Sequence, residues 1–175
     1  RQLSMRDHLT NAWNRRFLDE NFPAFARDCA THGKSVHIAI LDIDDFKGIN
    51  DAFGHQTGDR ILVGVADTFV KLLGNKGRLV RLGGDEFLIT YCGDDLDDII
   101  DKAIFVLKNG SLTSRTTGGQ PVTLSAGIAS TEPGQLAELD KLYRNADKAL
   151  YAAKRNRSDT PPPAAPLTHT GTWTL

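Results

Sequence analysis

Apolar residues recur every three or four positions in three long stretches of the chain, and this spacing predicts three helices. The clearest covers residues 57–73, where Thr57 is placed to cap the first turn. Another covers residues 136–157. The third, residues 94–108, carries acidic residues in its first turn, where they suit the helix dipole, so this acidic run has a sufficient structural explanation.

Runs rich in β-branched residues predict strands between these helices. Residues 36–43 are almost all apolar, as in a strand covered on both faces inside a sheet. Two further segments, residues 78–82 and 86–91, are joined by Gly83, Gly84 and Asp85. Because paired glycines adopt the positive φ angles of tight turns, the sequence predicts a β-hairpin with acidic residues at its tip.

Two less regular segments give two more predictions. Residues 15–30 have apolar positions near helical spacing, but Pro23 interrupts them, which predicts a bent or broken helix. Residues 111–116 and 122–130 flank the pair Gly118-Gly119 and predict a second hairpin.

The order of these elements predicts an α/β fold of the α+β sandwich type. Its central sheet should be mixed or antiparallel and flanked by helices, unlike a doubly wound Rossmann sheet. A length of 175 residues with 40% hydrophobic composition suits one domain, which we place at residues 1–159. Four of the seven prolines fall within residues 161–166, so residues 160–175 are expected to form a flexible, proline-rich tail.

Charge, apolar run length and cysteine content argue against several classes of function: nucleic-acid binding, membrane insertion and thiol redox chemistry. A formal net charge of -1 gives no general attraction to nucleic acid or to anionic membranes. No apolar run approaches the roughly 20 residues of a transmembrane helix and no signal peptide opens the chain, so we expect a cytosolic domain without direct membrane contact. The two cysteines, Cys29 and Cys92, are expected to be buried reduced thiols rather than a disulfide or a redox site.

Acidic residues cluster where the predicted buried strand ends. Asp42 closes that strand, and period-two geometry places Asp44 on the same side. If the glycine hairpin lies antiparallel beside this strand, Asp85 and Glu86 come next to Asp42, and three carboxylates in one place call for a cation such as Mg²⁺ or Mn²⁺. Each acid alone is explained as well by a solvated strand end or turn.

Four ordered motifs resemble one family. They are LDIDDFKGINDAFGHQTGDRIL at residues 41–62, RLGGDEF at 81–87, DHLTNAWNRR at 7–16 and ADKALYAAK at 146–154. Together they resemble the GGDEF domains, the diguanylate cyclases that condense two GTP into cyclic di-GMP with release of pyrophosphate. The resemblance covers residues 7–154 and implies a palm-like nucleotidyl cyclase fold with about five strands.

The resemblance also implies a metal site and a catalytic pair. Asp42, Asp85 and the carbonyl of Ile43 would be metal ligands, with Glu86 at or beside the metals. Asp85 and Glu86 would be the catalytic residues, and two Mg²⁺ or Mn²⁺ ions are implied for each active site. Such an ion pair neutralises a triphosphate and activates the 3′-OH that attacks the α-phosphate.

Seven positions match the family's substrate contacts, and Arg157 is a further candidate that stands where the family usually has glycine. Glycines let the backbone lie close to a nucleotide, lysines bind phosphates, and an Asn–Asp pair reads guanine, whose N1-H and N2-H₂ donors adenine lacks. The seven matching positions are Phe46, Lys47, Asn50, Asp59, Gly83, Gly84 and Lys154.

Two departures from the family pattern change what is expected. The Arg-x-x-Asp motif of the usual product-inhibition site falls on Gly74 and Gly77, so feedback through that surface is not expected. At the end of the last helix, Ser158 stands where a phosphate-binding arginine is usual. Arg157 either replaces that arginine from one position earlier or is simply exposed at a fraying helix end.

The resemblance leaves two functions of different class open. One is an active diguanylate cyclase whose partners are GTP and a second GGDEF domain, a homodimer being needed for catalysis. The alternative is a catalytically silent GTP-binding module that signals through protein contacts, and a cyclase for other nucleotides is a weaker third. Since Asp7 lies almost at the start, no sensor is expected in this chain, and any membrane tether would belong to an N-terminal part outside it.

Overall fold

The computed structural model describes residues 4–110, 112 and 117–158, with backbone alone for residues 157 and 158. The predicted tail from Thr160 and the side chain of Arg157 therefore lie outside the described residues. The helices are α1 (Arg15–Thr31), α2 (Phe46–Phe53), α3 (His55–Leu73), α4 (Leu96–Asn109) and α5 (Leu139–Ser158). The strands are β1 (Trp13–Asn14), β2 (Val36–Ile43), β3 (Gly77–Gly83), β4 (Glu86–Cys92) and β5 (Leu124–Ser130).

The five strands form one sheet in the order β1-β3-β4-β2-β5. Pairing is antiparallel except between β1 and β3, which makes the sheet mixed. One hydrophobic core lies between the sheet and α2, α3 and α4, and the other lies between the sheet and α1 and α5. The predicted α+β sandwich is confirmed, and β2 lies inside the sheet as its apolar sequence indicates.

Helix α1 is continuous, so the prediction that Pro23 breaks it is wrong. The proline lies on the exposed face, where its ring costs one backbone hydrogen bond and meets solvent. Leu18, Phe22 and Ala26 are buried on another face, and their packing stabilises one continuous helix on both sides of the proline.

Two smaller predictions also need correction. Helix α3 begins two residues before Thr57, and Gly54, with φ of 86°, occupies the capping position. The second hairpin is described only in part. Its second strand is β5, whereas residues 111–116 lie outside the described residues except for Leu112, which is helical.

The two cysteines form a disulfide, which overturns the prediction of reduced thiols. Cys29 ends the buried face of α1 and Cys92 ends β4, and their Cα atoms are 6.0 Å apart although 63 positions separate them in the chain. That distance lies within the range that a disulfide bridges. The sequence did not predict this pair because the two cysteines meet only where the end of α1 packs against the end of β4.

Reducing this disulfide is expected to lower the free energy of unfolding by about 2–4 kcal/mol, because the cross-link restricts a long loop in the unfolded chain. Chemical denaturation with and without dithiothreitol measures the difference. Cys92→Ala should be less stable than the oxidised protein and insensitive to the reductant. Equal stability of the oxidised and reduced protein would show that the cross-link contributes nothing.

Within the described part of the chain, no helix combines the length and the apolar character needed to cross a bilayer.

Candidate active site

The carboxylates singled out in the sequence meet where β2 ends beside the β3–β4 hairpin. Asp42 pairs directly with Glu86 in the antiparallel register, and the amide of Ile43 donates to the carbonyl of Asp85 at 3.4 Å. The hairpin turns through Gly83 and Gly84, with φ of 147° and 52°. A residue with a side chain would be strained in this turn, so the two glycines are what places the acids beside β2.

Arg81 fixes the tip of this hairpin. Its guanidinium donates to the carbonyl of Gly84 at 2.8 and 3.2 Å and to the Asp7 carboxylate at 3.0 Å. Partial burial of Asp7 opposes ionisation, but hydrogen bonds from Thr10 and Arg81 outweigh it and lower the pKa of Asp7. The opening segment of the chain is thereby tied to the turn that carries Asp85.

The pKa values of two of the carboxylates, Asp85 and Glu86, are raised in this site. Burial, a hydrogen bond shared with Asp42 and the charge of Asp42 raise the pKa of Asp85 to about 6. Burial and the same charge raise the pKa of Glu86. Like charges held this close favour binding of a cation, which removes the repulsion that protonation would otherwise relieve.

Helix α5 closes one side of the site with two polar side chains. The ammonium of Lys154 donates to Asp42. The hydroxyl of Tyr143 lies 3.4 Å from Glu86 Oε1, to which it donates. Sequence reasoning found Lys154 and missed Tyr143, because the tyrosine fitted equally well on the buried face of the helix.

The turn from β2 into α2 forms another side of the site. Asp45 precedes the helix in the left-handed conformation, with φ of 50°, and its side chain makes no capping hydrogen bond to the helix. The first amides of α2, which begins at Phe46, are thus left without a side-chain cap. Lys47 donates to Asp51 at 2.8 Å and is 88% exposed. A helix start of this kind can bind a phosphate through its backbone N–H groups.

A cleft of about 540 Å³ opens between these elements. Its lining comprises Asp42, Ile43, Asp44, Asp45, Phe46, Lys47, Asp85, Thr123, Ser125 and Lys154. The predicted metal ligands and phosphate-binding residues thus meet in one cleft, except that Glu86 lines the adjoining hollow next to α5. Thr123 and Ser125 were missed, because only the pairing of β5 with β2 brings them here.

The two predicted guanine contacts lie on α2 and α3 beside the cleft rather than in its lining. Asn50 has a buried Oδ1 that finds no hydrogen-bond partner among the described residues. It packs against Gly58, the neighbour of the exposed Asp59. A Cβ at Gly58 would lie 2.0 Å from Asn50 Oδ1 and 3.1 Å from Phe46 Cζ, so only glycine fits.

Gly58→Ala is therefore expected to weaken GTP binding by roughly tenfold or more, because the added methyl group displaces both Asn50 and Phe46. Titration with a non-hydrolysable GTP analogue in Mg²⁺ measures this effect. Gly134→Ala is the control, since a Cβ there meets ordinary contacts at 3.7 Å, far from the cleft. Wild-type affinity in Gly58→Ala would remove Asn50 and Phe46 from the binding site.

The oxygen ligands present fit a divalent metal. Asp42 and Asp85 approach closely enough to share a hydrogen bond, and their all-oxygen chemistry is what Mg²⁺ and Mn²⁺ prefer. Within the described ranges, no three His, Cys, Asp or Glu side chains already converge on a common point. A complete coordination shell would need the Ile43 carbonyl, water and substrate phosphates in addition to the carboxylates.

The positions of the expected feedback motif carry no side chains. Gly74 ends α3 with φ of 56°, and Gly77 begins β3. A Cβ at Gly77 would lie 2.8 Å from the carbonyl oxygen of Thr90, so close packing of the strands excludes a larger residue there.

Comparison with curated proteins finds related cyclases. The probable diguanylate cyclase DgcC of Escherichia coli is 33% identical over 162 residues, which cover 90% of this chain and 43% of DgcC. The diguanylate cyclase DosC of the same organism is 33% identical over 150 residues, covering 85% of this chain and 33% of DosC. The chain thus spans less than half the length of these relatives.

Comparisons with solved structures and with family sequence models also identify diguanylate cyclases and GGDEF domains as similar to this chain. The GGDEF domain of DgcB from Caulobacter crescentus, solved in complex with c-di-GMP, superposes with a TM-score of 0.77 at 30% identity, over 89% of this chain and 93% of that one. Residues 4–160 match the family described as "Diguanylate cyclase, GGDEF domain". With its fold, its hairpin acids and nearly its whole length accounted for, the chain belongs to the diguanylate cyclase family of GGDEF domains.

Proposed function

We propose that this domain is an active diguanylate cyclase that condenses two GTP into cyclic di-GMP and releases pyrophosphate. The observation that carries the proposal is that Asp42 lies next to Asp85 and opposite Glu86 at an intact Gly-Gly-Asp-Glu-Phe hairpin, beside a cleft of a size for one nucleotide. A silent binding module would not need two carboxylates, Asp85 and Glu86, whose pKa values are raised by burial and by the charge of Asp42.

The triphosphate of GTP would lie at the start of α2. The backbone N–H groups of Phe46 and Lys47 would donate to the phosphates there, and the helix dipole favours anions. Lys154 would donate to the phosphates from the opposite side. Both lysines contact carboxylates in this structure, Lys47 on Asp51 and Lys154 on Asp42, so substrate binding would exchange one anionic partner for another.

The acidic residues would hold two Mg²⁺ or Mn²⁺ ions through Asp42, Asp85, Glu86 and the carbonyl of Ile43. Bound there, such ions supply charge neutralisation for the triphosphate and lower the pKa of the attacking 3′-OH. Glu86, which accepts a hydrogen bond from the hydroxyl of Tyr143, would accept the proton of the attacking 3′-OH. Asp85 and Glu86 are the proposed catalytic residues.

Guanine would be selected by Asn50 and Asp59. The buried, unpartnered Oδ1 of Asn50 can accept a hydrogen bond, and a carboxylate accepts from the N1-H and N2-H₂ donors that adenine lacks. Discrimination is strong where a missing partner leaves such a group unsatisfied.

A homodimer is part of the proposal. The cleft described above holds one set of carboxylates and would take one GTP, whereas cyclic di-GMP requires two reciprocal attacks. Two domains that face each other across the substrates would supply both sites.

Product analysis tests this function. Purified protein is incubated with Mg²⁺ and GTP, ATP or both, and the products are identified by mass spectrometry. Cyclic di-GMP from GTP alone supports the proposal. A mixed cyclic dinucleotide as the main product would indicate a different cyclase, and GTP binding without any product would indicate the silent module.

A further inference from the structure

We infer that Ser125 on β5 and Thr123, the residue before that strand, are positioning residues that hold the GTP-binding turn in place through Asp44, an inference that rests on the proposed function. None of the three was assigned a role by the motifs. All three line the cleft, and Asp44 is the residue between the end of β2 and the left-handed Asp45 that precedes α2.

Both carboxylate oxygens of Asp44 accept hydrogen bonds from the start of β5 and the residue before it. The hydroxyl of Thr123 donates to Oδ2 at 2.6 Å, and the hydroxyl of Ser125 donates to Oδ1 at 2.6 Å. The backbone N–H of Asp44 also donates to the carbonyl of Thr123 at 2.9 Å. Three hydrogen bonds thus link Asp44 to Thr123 and Ser125, and two of them are charge-assisted and short.

The turn that follows depends on this support. Asp45 is a non-glycine residue with φ of 50°, a conformation that costs about 1 kcal/mol or more and persists only where the surroundings impose it. The Asp45 side chain makes no capping bond to α2. The hydrogen bonds to Asp44, immediately before the strained residue, are therefore the contacts that define where the first amides of α2 point.

The same pair of strands provides a matched comparison. At the opposite end of β5, the Ser130 hydroxyl lies 2.6 Å from Nδ1 of His37 on β2, far from the cleft. Ser125 is 4% exposed, and its hydroxyl donates to Asp44, which leads into α2. Ser130 is exposed, and its partner His37 lies at the other end of β2, away from the cleft. Removing the hydroxyl of Ser125 tests whether it stabilises the turn before α2. Removing the hydroxyl of Ser130 tests whether any lost contact between β2 and β5 has the same effect.

The experiment measures Kd for a non-hydrolysable GTP analogue in Mg²⁺, together with KM and kcat for GTP. Ser125→Ala and Thr123→Val are each expected to raise Kd and KM by roughly tenfold, with a smaller change in kcat because Asp85 lies in the β3–β4 turn and Glu86 on β4. Thr123→Ser keeps the hydroxyl and should restore wild-type binding. Ser130→Ala should stay within about twofold of wild type.

A double-mutant cycle tests whether the hydroxyls act through Asp44. Adding Ser125→Ala to Asp44→Ala should change Kd no further, because the group that the hydroxyl holds is already gone. Fully additive effects would overturn the inference, and so would wild-type Kd in both Ser125→Ala and Thr123→Val. A wild-type protein that neither binds the analogue nor forms product would instead refute the proposed function.

Discussion

Replacing Glu86 by glutamine is expected to lower kcat by at least about 100-fold while the fold is retained. The amide has nearly the shape of the carboxylate. It would keep the position of Glu86 on β4, opposite Asp42 on β2, and its oxygen could still accept a hydrogen bond from the hydroxyl of Tyr143. It lacks the charge that would bind metal and the basicity that would accept a proton. Steady-state pyrophosphate release gives kcat, and chemical denaturation checks the fold.

Glu138→Gln is the matched control for this change. Glu138 is an exposed glutamate just before α5 and takes no part in the cleft, so its amide variant should have wild-type activity. A Glu86→Gln protein that turns over GTP at the wild-type rate would remove Glu86 from the mechanism and would contradict its proposed role as proton acceptor.

Gly127→Ala is expected to destabilise the protein by at least about 3 kcal/mol and to abolish activity. Gly127 lies on β5 under α5, where an added Cβ would be 2.2 Å from both the carbonyl oxygen of Ala146 and the amide nitrogen of Leu150. Because both obstacles are backbone atoms, the whole helix has to move, and it carries Tyr143 and Lys154 into the site.

Gly134→Ala is the control that separates the steric clash expected at Gly127 from the backbone effect of replacing any glycine by alanine. Its φ is 76°, so alanine there is strained, but its nearest neighbours lie at 3.7 and 3.8 Å. The control should lose only about 1 kcal/mol in urea denaturation. Similar losses in the two variants would contradict the close approach of α5 to the sheet.

The sequence alone predicted the part of the site that local chemistry controls. A buried strand ending in Asp42 and a glycine turn ending in Asp85 each follow from residue pattern, and antiparallel pairing then brings Glu86 opposite Asp42. The same reasoning placed α3 and α5 to within a few residues.

Features that depend on distant pairing were not predictable. Thr123 contacts Asp44 across 79 positions, and only the placement of β5 next to β2 reveals it. The Cys29–Cys92 disulfide needs α1 and β4 packed together, and Pro23 is tolerated because it lies on the solvent face of α1. In each case tertiary packing, which the local sequence pattern does not contain, determines the outcome.

The central claim is that this cleft joins two GTP molecules rather than only binding or hydrolysing them. Phosphorus-31 nuclear magnetic resonance of GTP incubated with the protein and Mg²⁺ follows every phosphate at once. The account predicts that α-phosphates pass into the phosphodiester of cyclic di-GMP while two pyrophosphates appear for each product molecule. Unchanged GTP, or orthophosphate with GDP, would contradict it.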